Sequence, residues 1–265
     1  MKSECFQNNV HPSAIVDPAA RVHPEAEIGP YCMVGAEVTV GARTRMMAHV
    51  FCEGPTFIGE DNLFYPYSTV GVAGQDLKYR GERAETHIGD RNRVREFVTI
   101  HRGTEGGGLK TSIGSDNLLM AYVHVAHDVS VGNHCVLANA ATLGGHVTVG
   151  DWAVVGASTG VHQFCRVGRH AIIGGYSVIT KDVLPFSNTV TERDAKVFGA
   201  NRTGLERRGF STEAIEPLQT AFRLLTRAGL NTSQAVARIQ EEVPLTPEVQ
   251  ELLDFLQSTE RGVIK

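Results

Sequence analysis

No stretch of these 265 residues approaches the roughly 18 uninterrupted apolar residues of a membrane span. The N-terminus, Met1-Lys2-Ser3-Glu4-Cys5-Phe6-Gln7-Asn8-Asn9, has no apolar signal-peptide core. These two absences predict a protein that is neither exported nor integrated into a membrane. The five cysteines form no Cys-x-x-Cys pair and are odd in number, which excludes a disulfide framework and a zinc ribbon and predicts a reducing, cytoplasmic setting. Aromatic residues make up only 7%, with a single Trp, so no large aromatic core is available. A net charge of −4 and a pI near 6.3 exclude nucleic-acid binding over the whole surface. Two basic clusters remain as candidate docking patches: Arg91-Asn92-Arg93 with Arg95, and Arg202 with Arg207-Arg208. The chain also carries 28 Gly, 10 Pro and 42% apolar residues with no low-complexity tract, the composition of a folded protein.

What the sequence does contain is a period of six. Apolar residues stand at every sixth position from Val16 through Val22, Ile28, Val34, Val40, Met46, Cys52, Ile58 and Phe64 to Val70. The pattern resumes at Ile88, Val94 and Ile100, and runs again from Ile113 to Ile179. All 25 such positions are apolar, which a 42% background would give with probability below ~10⁻⁶. Six residues rotate about 600° in an α-helix and cannot keep one side, whereas a short strand plus a sharp turn repeats at six. Three hexads per coil predict a mainly β fold, a prism of short parallel strands. Each inward Val, Ile or Leu then stacks on the residue 18 later, ~4.8 Å away. Gly follows the apolar residue at Gly29, Gly41, Gly89, Gly114, Gly132 and elsewhere, and is expected to relieve the turn. The spacing leaves the handedness of the coil open.

The prism is expected over residues 1–185, with polar, Gly-rich excursions at 72–87 and 103–112, and loops on rigid scaffolds carry function. Residues 186–265 are expected to form a linker and a C-terminal helical domain that caps the open prism end, where strand edges would otherwise be unpaired. Ser211 is a candidate N-cap, Ala221-Phe222-Leu224-Leu225 an apolar stripe and Gly229 a stop. Pro217 marks either the true start of that helix or a kink, and Thr246-Pro247 opens another helix through Leu256.

Counting modulo 18 puts the hexads beginning at Val125, Leu143 and Val161 on one face of three successive coils. His127 lies two residues into the first, His146 three into the second and His162 one into the third, while His124 closes the preceding hexad. Four imidazoles thus converge on one edge. In His124-Val125-Ala126-His127-Asp128, an imidazole beside a carboxylate suits general-base work on a hydroxyl. Gly145 follows His127 by 18 residues, and its N–H, unshielded by a side chain, could face an oxyanion or simply serve a turn.

Several of these segments together resemble a known family. Gln75-Asp76-Leu77-Lys78-Tyr79, Ile100-His101-Arg102-Gly103-Thr104, Gly106-Gly107-Gly108, His124-Val125-Ala126-His127-Asp128, Val161-His162-Gln163-Phe164 and Leu205-Glu206-Arg207-Arg208-Gly209-Phe210 are similar to the acyl-[acyl-carrier-protein]–UDP-N-acetylglucosamine O-acyltransferases. The resemblance implies a left-handed β-helix homotrimer with active sites between subunits, and the first committed acyl transfer of lipid A synthesis. It implies acyl-carrier protein and UDP-N-acetylglucosamine as partners, and no cofactor or metal. By the same resemblance, His127 is the general base, Asp128 its supporting carboxylate and Gly145 the oxyanion donor. Gln75, Asp76 and Lys78 hold the sugar and the acyl 3-hydroxyl, while His124, His146, His162 and Gln163 line the cleft. Asn201, Arg207 and Arg208 bind the uridine diphosphate, and Gly175 lines the acyl slot. Two features depart from the family pattern. Thr203 stands where the family often has Glu, and residues 191–196, which include Asp194, replace its usual His-bearing segment.

Other readings remain on the same scaffold: an N-acyltransferase of the same pathway, an acetyl-coenzyme A enzyme, a zinc hydratase using three histidines, or a non-enzymatic β-solenoid. The Gln75–Tyr79 loop and the Arg207–Phe210 tail disfavour the first two. A plain scaffold predicts neither clustered imidazoles nor a long polar loop at one edge.

Overall fold

The computed structural model describes residues 9–191, 195–226 and 228–265. Its strands assemble into three parallel sheets, the walls of a prism. The first sheet runs through nine strands from Ile15–Val16 to Val178–Ile179, and the second through eight from Arg21–Val22 to Arg166–Val167. The third starts at Glu27–Ile28 and reaches Ile172–Ile173, then gains Ser187–Thr191 and Ala195–Ala200. The register is the expected one: Val34 pairs with Cys52, Val125 with Leu143, and Leu143 with Val161. Every periodic apolar residue from Ile28 to Ile179 is buried, and only Val16 and Val22, at the open N-terminal end, are partly exposed. The four cysteines among the described residues are buried free thiols, and burial pushes the Cys52 thiol up to about 12. Cys5 lies outside the described residues.

The turns are built differently from the sequence expectation. Apart from Gly71, at the start of the first excursion, the glycines that follow the inward residue are not in the left-handed region. They are required by space, because a Cβ on Gly114 would lie 2.5 Å from Gly132 O and one on Gly89 would lie 2.8 Å from Gly114 O. The left-handed residue comes two places later and is never Gly in the regular coils: Tyr31, Arg43, His49, Asp61, Asp128 and His146 belong to a series with φ between 53° and 66°. That conformation costs a residue with a Cβ about 1–2 kcal/mol. Contacts of many of these side chains with their equivalents in the next coil offset the cost. Tyr31, His49, Tyr67, Phe97 and Tyr122 form a ladder of rings with centroids 4.9–5.2 Å apart on the corner after the third sheet, each pair contributing ~0.5–1.5 kcal/mol. On the corner after the second sheet, Arg43 bonds Asp61 and Arg91 bonds Asp116, followed by stacked His134, Trp152 and His170. The third corner carries Asp128, His146 and Phe164.

Both excursions are shorter than expected. Glu85–Ile88 and Lys110–Ile113 are strands that pair with each other, and Thr86 and Thr111 are fully buried despite their polarity. Val70 pairs with Ile100 and Ile88 with Ile113, separations of 30 and 25 instead of 18, so the loops add twelve and seven residues to their coils.

Beyond Pro185 the chain is not a linker. Ser187–Thr191 joins the third sheet beside Ile172–Ile173, and Ala195–Ala200 covers it antiparallel, so strand pairing and not the helices closes that edge. Four helices follow: α1 (Arg202–Arg207), α2 (Thr212–Thr226), α3 (Thr232–Glu242) and α4 (Pro247–Ser258). The second starts at Thr212 and continues through Pro217, which therefore does not mark its start. Sequence analysis did not single out α3, although Asn231 and Gln234 form its capping box. The tail returns to the prism, with Val263 bridging Asp182.

Candidate active site

The corner after the first sheet gathers the predicted histidines. His127 and Gly145 each stand two places past an inward residue, Val125 and Leu143, which pair across adjacent coils. Pro18, Pro24, Pro30 and Pro66 occupy the same place in their own hexads. The prism does not need an N–H there, and the Gly145 N–H donates to no group among the described residues. A Cβ on Gly145 would sit 2.6 Å from His127 Cε1, so only glycine lets the ring lie over that peptide.

His127 Nδ1 lies 2.8 Å from Asp128 Oδ2, and the Asp128 side chain has no solvent exposure. A carboxylate only accepts, so His127 donates from Nδ1 and keeps Nε2 as a lone pair. Asp128 also accepts from Thr104 N at 2.8 Å and from Thr104 Oγ1 at 2.6 Å, and its own N–H donates to Thr111 Oγ1. The His146 ring stands edge-on to His127, with centroids 5.2 Å apart, and stacks on Phe164 at 4.3 Å. Burial, followed by the nearby His127, lowers the pKa of His124. Burial lowers that of His146 too, opposed by Asp128. His101, edge-on to His124 at 4.8 Å, is pushed down to about 4 by burial and by the two neighbouring histidines. The corner therefore favours neutral imidazoles around one dyad. His127 Nδ1, Asp128 and His146 also offer ligand atoms within 4.8 Å of one another, a group able to hold a metal ion.

The first loop starts against the dyad, since a Cβ on Gly74 would meet His127 Cβ at 3.2 Å. Asp76 acts electrostatically on His146, while Gln75 and Lys78 are exposed. His162 is exposed, with Nδ1 3.0 Å from Gln163 O. The remaining predicted residues lie elsewhere on the chain. Gly175 stands on the corner after the third sheet, beyond Ala140 and Ser158, and does not face His127 of the same chain. Asn201 is buried, and its side chain caps α1 and donates to His170 O. Arg208 lies over the Trp152 ring with Nη1 buried and without a hydrogen-bond partner among the described residues, and Arg207 is exposed. Asp194 lies outside the described residues. Of the basic cluster at 91–95, Arg91 is paired with Asp116, Arg95 with Glu96, and Asn92 is buried, leaving Arg93 as the one cation there without an ion-pair partner among the described residues.

Thr99, Thr104, Thr111 and His101 were missed as supports of the histidines. The loops put Thr104 24 residues before Asp128 and Thr99 25 before His124, so a count of 18 does not connect them.

LpxA from Acinetobacter baumannii is 42% identical, with 97% of this chain and 99% of that one covered and a TM-score of 0.93. The chain belongs to the UDP-N-acetylglucosamine O-acyltransferase family. LpxA of Bacteroides fragilis, a UDP-N-acetylglucosamine acyltransferase, is 38% identical with a TM-score of 0.94, covering 97% and 100% of the two chains. The Arabidopsis UDP-N-acetylglucosamine acyltransferase is 32% identical with a TM-score of 0.85, covering 97% and 100%. Residues 182–264 match the model for UDP N-acetylglucosamine O-acyltransferase domain 2, and 110–145 that for the bacterial transferase hexapeptide repeat. Membership of this family makes the coil left-handed, against the usual right-handed crossover. Among the described residues, no helix is long and apolar enough to cross a membrane.

Proposed function

We propose that the protein transfers a 3-hydroxyacyl group from an acyl-carrier-protein thioester to the glucosamine 3-hydroxyl of UDP-N-acetylglucosamine, the first step of lipid A synthesis. Family membership supports acyl transfer to this nucleotide sugar. The observation that supports the chemistry is the His127–Asp128 dyad packed against Gly145, whose N–H has no partner among the described residues. His127 Nε2 takes the proton as the sugar oxygen attacks the thioester carbonyl, and Asp128 supports the imidazolium. Gly145 N–H meets the oxyanion. Collapse breaks the C–S bond, and the imidazolium returns its proton to the departing thiolate.

Gln75, Asp76 and Lys78 hold the sugar and the acyl 3-hydroxyl, and His124, His146, His162 and Gln163 line the cleft. Arg207 and Arg208 bind the diphosphate, while Asn201 shapes their turn by capping α1. The separation of Gly175 from His127 supports a homotrimer, because one substrate can meet both corners only if they come from different chains. Leu77, 96% exposed at the loop tip, suits burial against a neighbour. The setting is cytoplasmic, where acyl-carrier thioesters are made.

Incubation of the purified protein with carrier thioesters of graded length and UDP-sugars bearing a 3-hydroxyl or a 3-amino group, with products read by mass, tests this reading. Ester formation on the 3-hydroxyl is expected, and transfer only to the amine would refute it. A zinc hydratase reading draws on the metal-capable group at His127, Asp128 and His146. Acyl transfer that survives dialysis against a chelator separates the two.

A further inference from the structure

We propose that Thr104 is a positioning residue for the acyl transfer, its hydroxyl fixing the orientation of Asp128 so that His127 keeps Nε2 free as the base. The inference rests on the reading of His127 as that base.

Asp128 is a fully buried carboxylate at a left-handed turn, φ 60°. A buried charge needs donors on both oxygens, and the second loop supplies them. Thr104 N–H bonds Oδ1 at 2.8 Å while Thr104 Oγ1 bonds Oδ2 at 2.6 Å, the oxygen that also receives His127 Nδ1 at 2.8 Å. One residue thus grips both ends of the carboxylate and fixes its plane. Thr111 Oγ1 holds the Asp128 main chain, and Gly107 closes over the carboxyl group so tightly that a Cβ would collide with it. Thr104 is itself buried, and the loop that carries it is braced by the first loop, where Glu82 accepts from Glu105 N. The seven-residue excursion therefore functions as a seat for Asp128.

The test uses Thr104→Val, which keeps shape and backbone N–H, and Thr104→Ser, which keeps the hydroxyl, with His127→Ala alongside. Thr104→Val is expected to lower kcat/KM roughly 10-fold or more through kcat, with the KM for UDP-N-acetylglucosamine little changed. Thr104→Ser is expected to restore the rate. A Thr104→Val enzyme with a wild-type kcat overturns the inference, as does Thr104→Ser behaving like Val. Should Val not fold, Ser must still keep a wild-type kcat, and a roughly 10-fold loss of kcat in Ser overturns the inference. An active His127→Ala enzyme instead overturns the underlying base assignment, so the two failures are distinguishable.

Discussion

The imidazole of His127 lies over the peptide of Gly145, one coil away, so closely that a methyl group on residue 145 would sit 2.6 Å from the ring. The imidazole and an N–H without a partner among the described residues are therefore held together by main-chain stacking, not by a loop that could move.

Gly145→Ala is expected to displace the ring and cut kcat about 100-fold, since a shift of ~1 Å in a reacting group costs on that order. The backbone at 145 is not left-handed, so the thermal midpoint should change little. Steady-state kinetics with a melting curve checks this, and a wild-type kcat would show that the ring need not lie there.

His127→Ala is expected to lose ~10²–10⁴-fold in turnover with the fold intact, because the side chain points away from the aliphatic stack. Mixing inactive His127→Ala and Asp76→Ala chains should restore activity in hybrid trimers. Absence of recovery after verified subunit exchange would place both residues in a site made by one chain.

Stability is expected to fall as pH drops from about 6.5 toward 4. Burial holds His101 and His170 neutral with pKa values near 4, so between those values the unfolded chain binds more protons than the folded one. Each contributes up to roughly 3 kcal/mol of stability above pH 6.5 that is lost as the pH falls through this window. Urea melts across the range should show the decline. His170→Phe, which keeps a ring between Trp152 and Phe186, should flatten it; an unchanged slope would exclude His170 as a contributor.

If the proposed carrier protein docks on this cluster through acidic groups, charge reversal at Arg93 is expected to weaken its use, whereas reversal at Arg91, already engaged by Asp116, should act mainly on stability. Kinetics with carrier-bound and short pantetheine thioesters distinguishes docking from folding. Equal loss with both donors at Arg93 would remove it from the docking surface.

Gly175→Met is expected to shift acyl preference several carbons shorter by filling a slot in which each methylene is worth ~0.8 kcal/mol. Gly175 follows Ala140 and Ser158 on a corner whose other positions carry Tyr122 and Tyr176, so rings stand on both sides of a stretch of small residues. The added Cβ would meet Ala157 O at 3.1 Å, a contact relieved by a small shift. An unchanged length profile would mean that the chain does not pass residue 175.

The period of six by itself determined the prism, because only a strand and a turn repeated three times per coil put Ile28, Met46 and Phe64 on one inward column. It also determined that His127 and Gly145 adjoin, since 18 residues make one coil and main-chain pairing fixes the register. Spacing could not decide what the loops bring in. The inserted residues change the count, so Thr104 reaches Asp128 across a separation that no period predicts. Nor could composition show that the glycines answer crowding while tyrosines, aspartates and histidines take the left-handed turns, because that division depends on which atoms of the next coil lie alongside. Asn201, a ligand by family resemblance, also caps α1, and only the packing of that helix against His170 reveals this structural role. Local pattern decides which residues face inward, whereas contacts between distant coils and loops decide which outward residues can act.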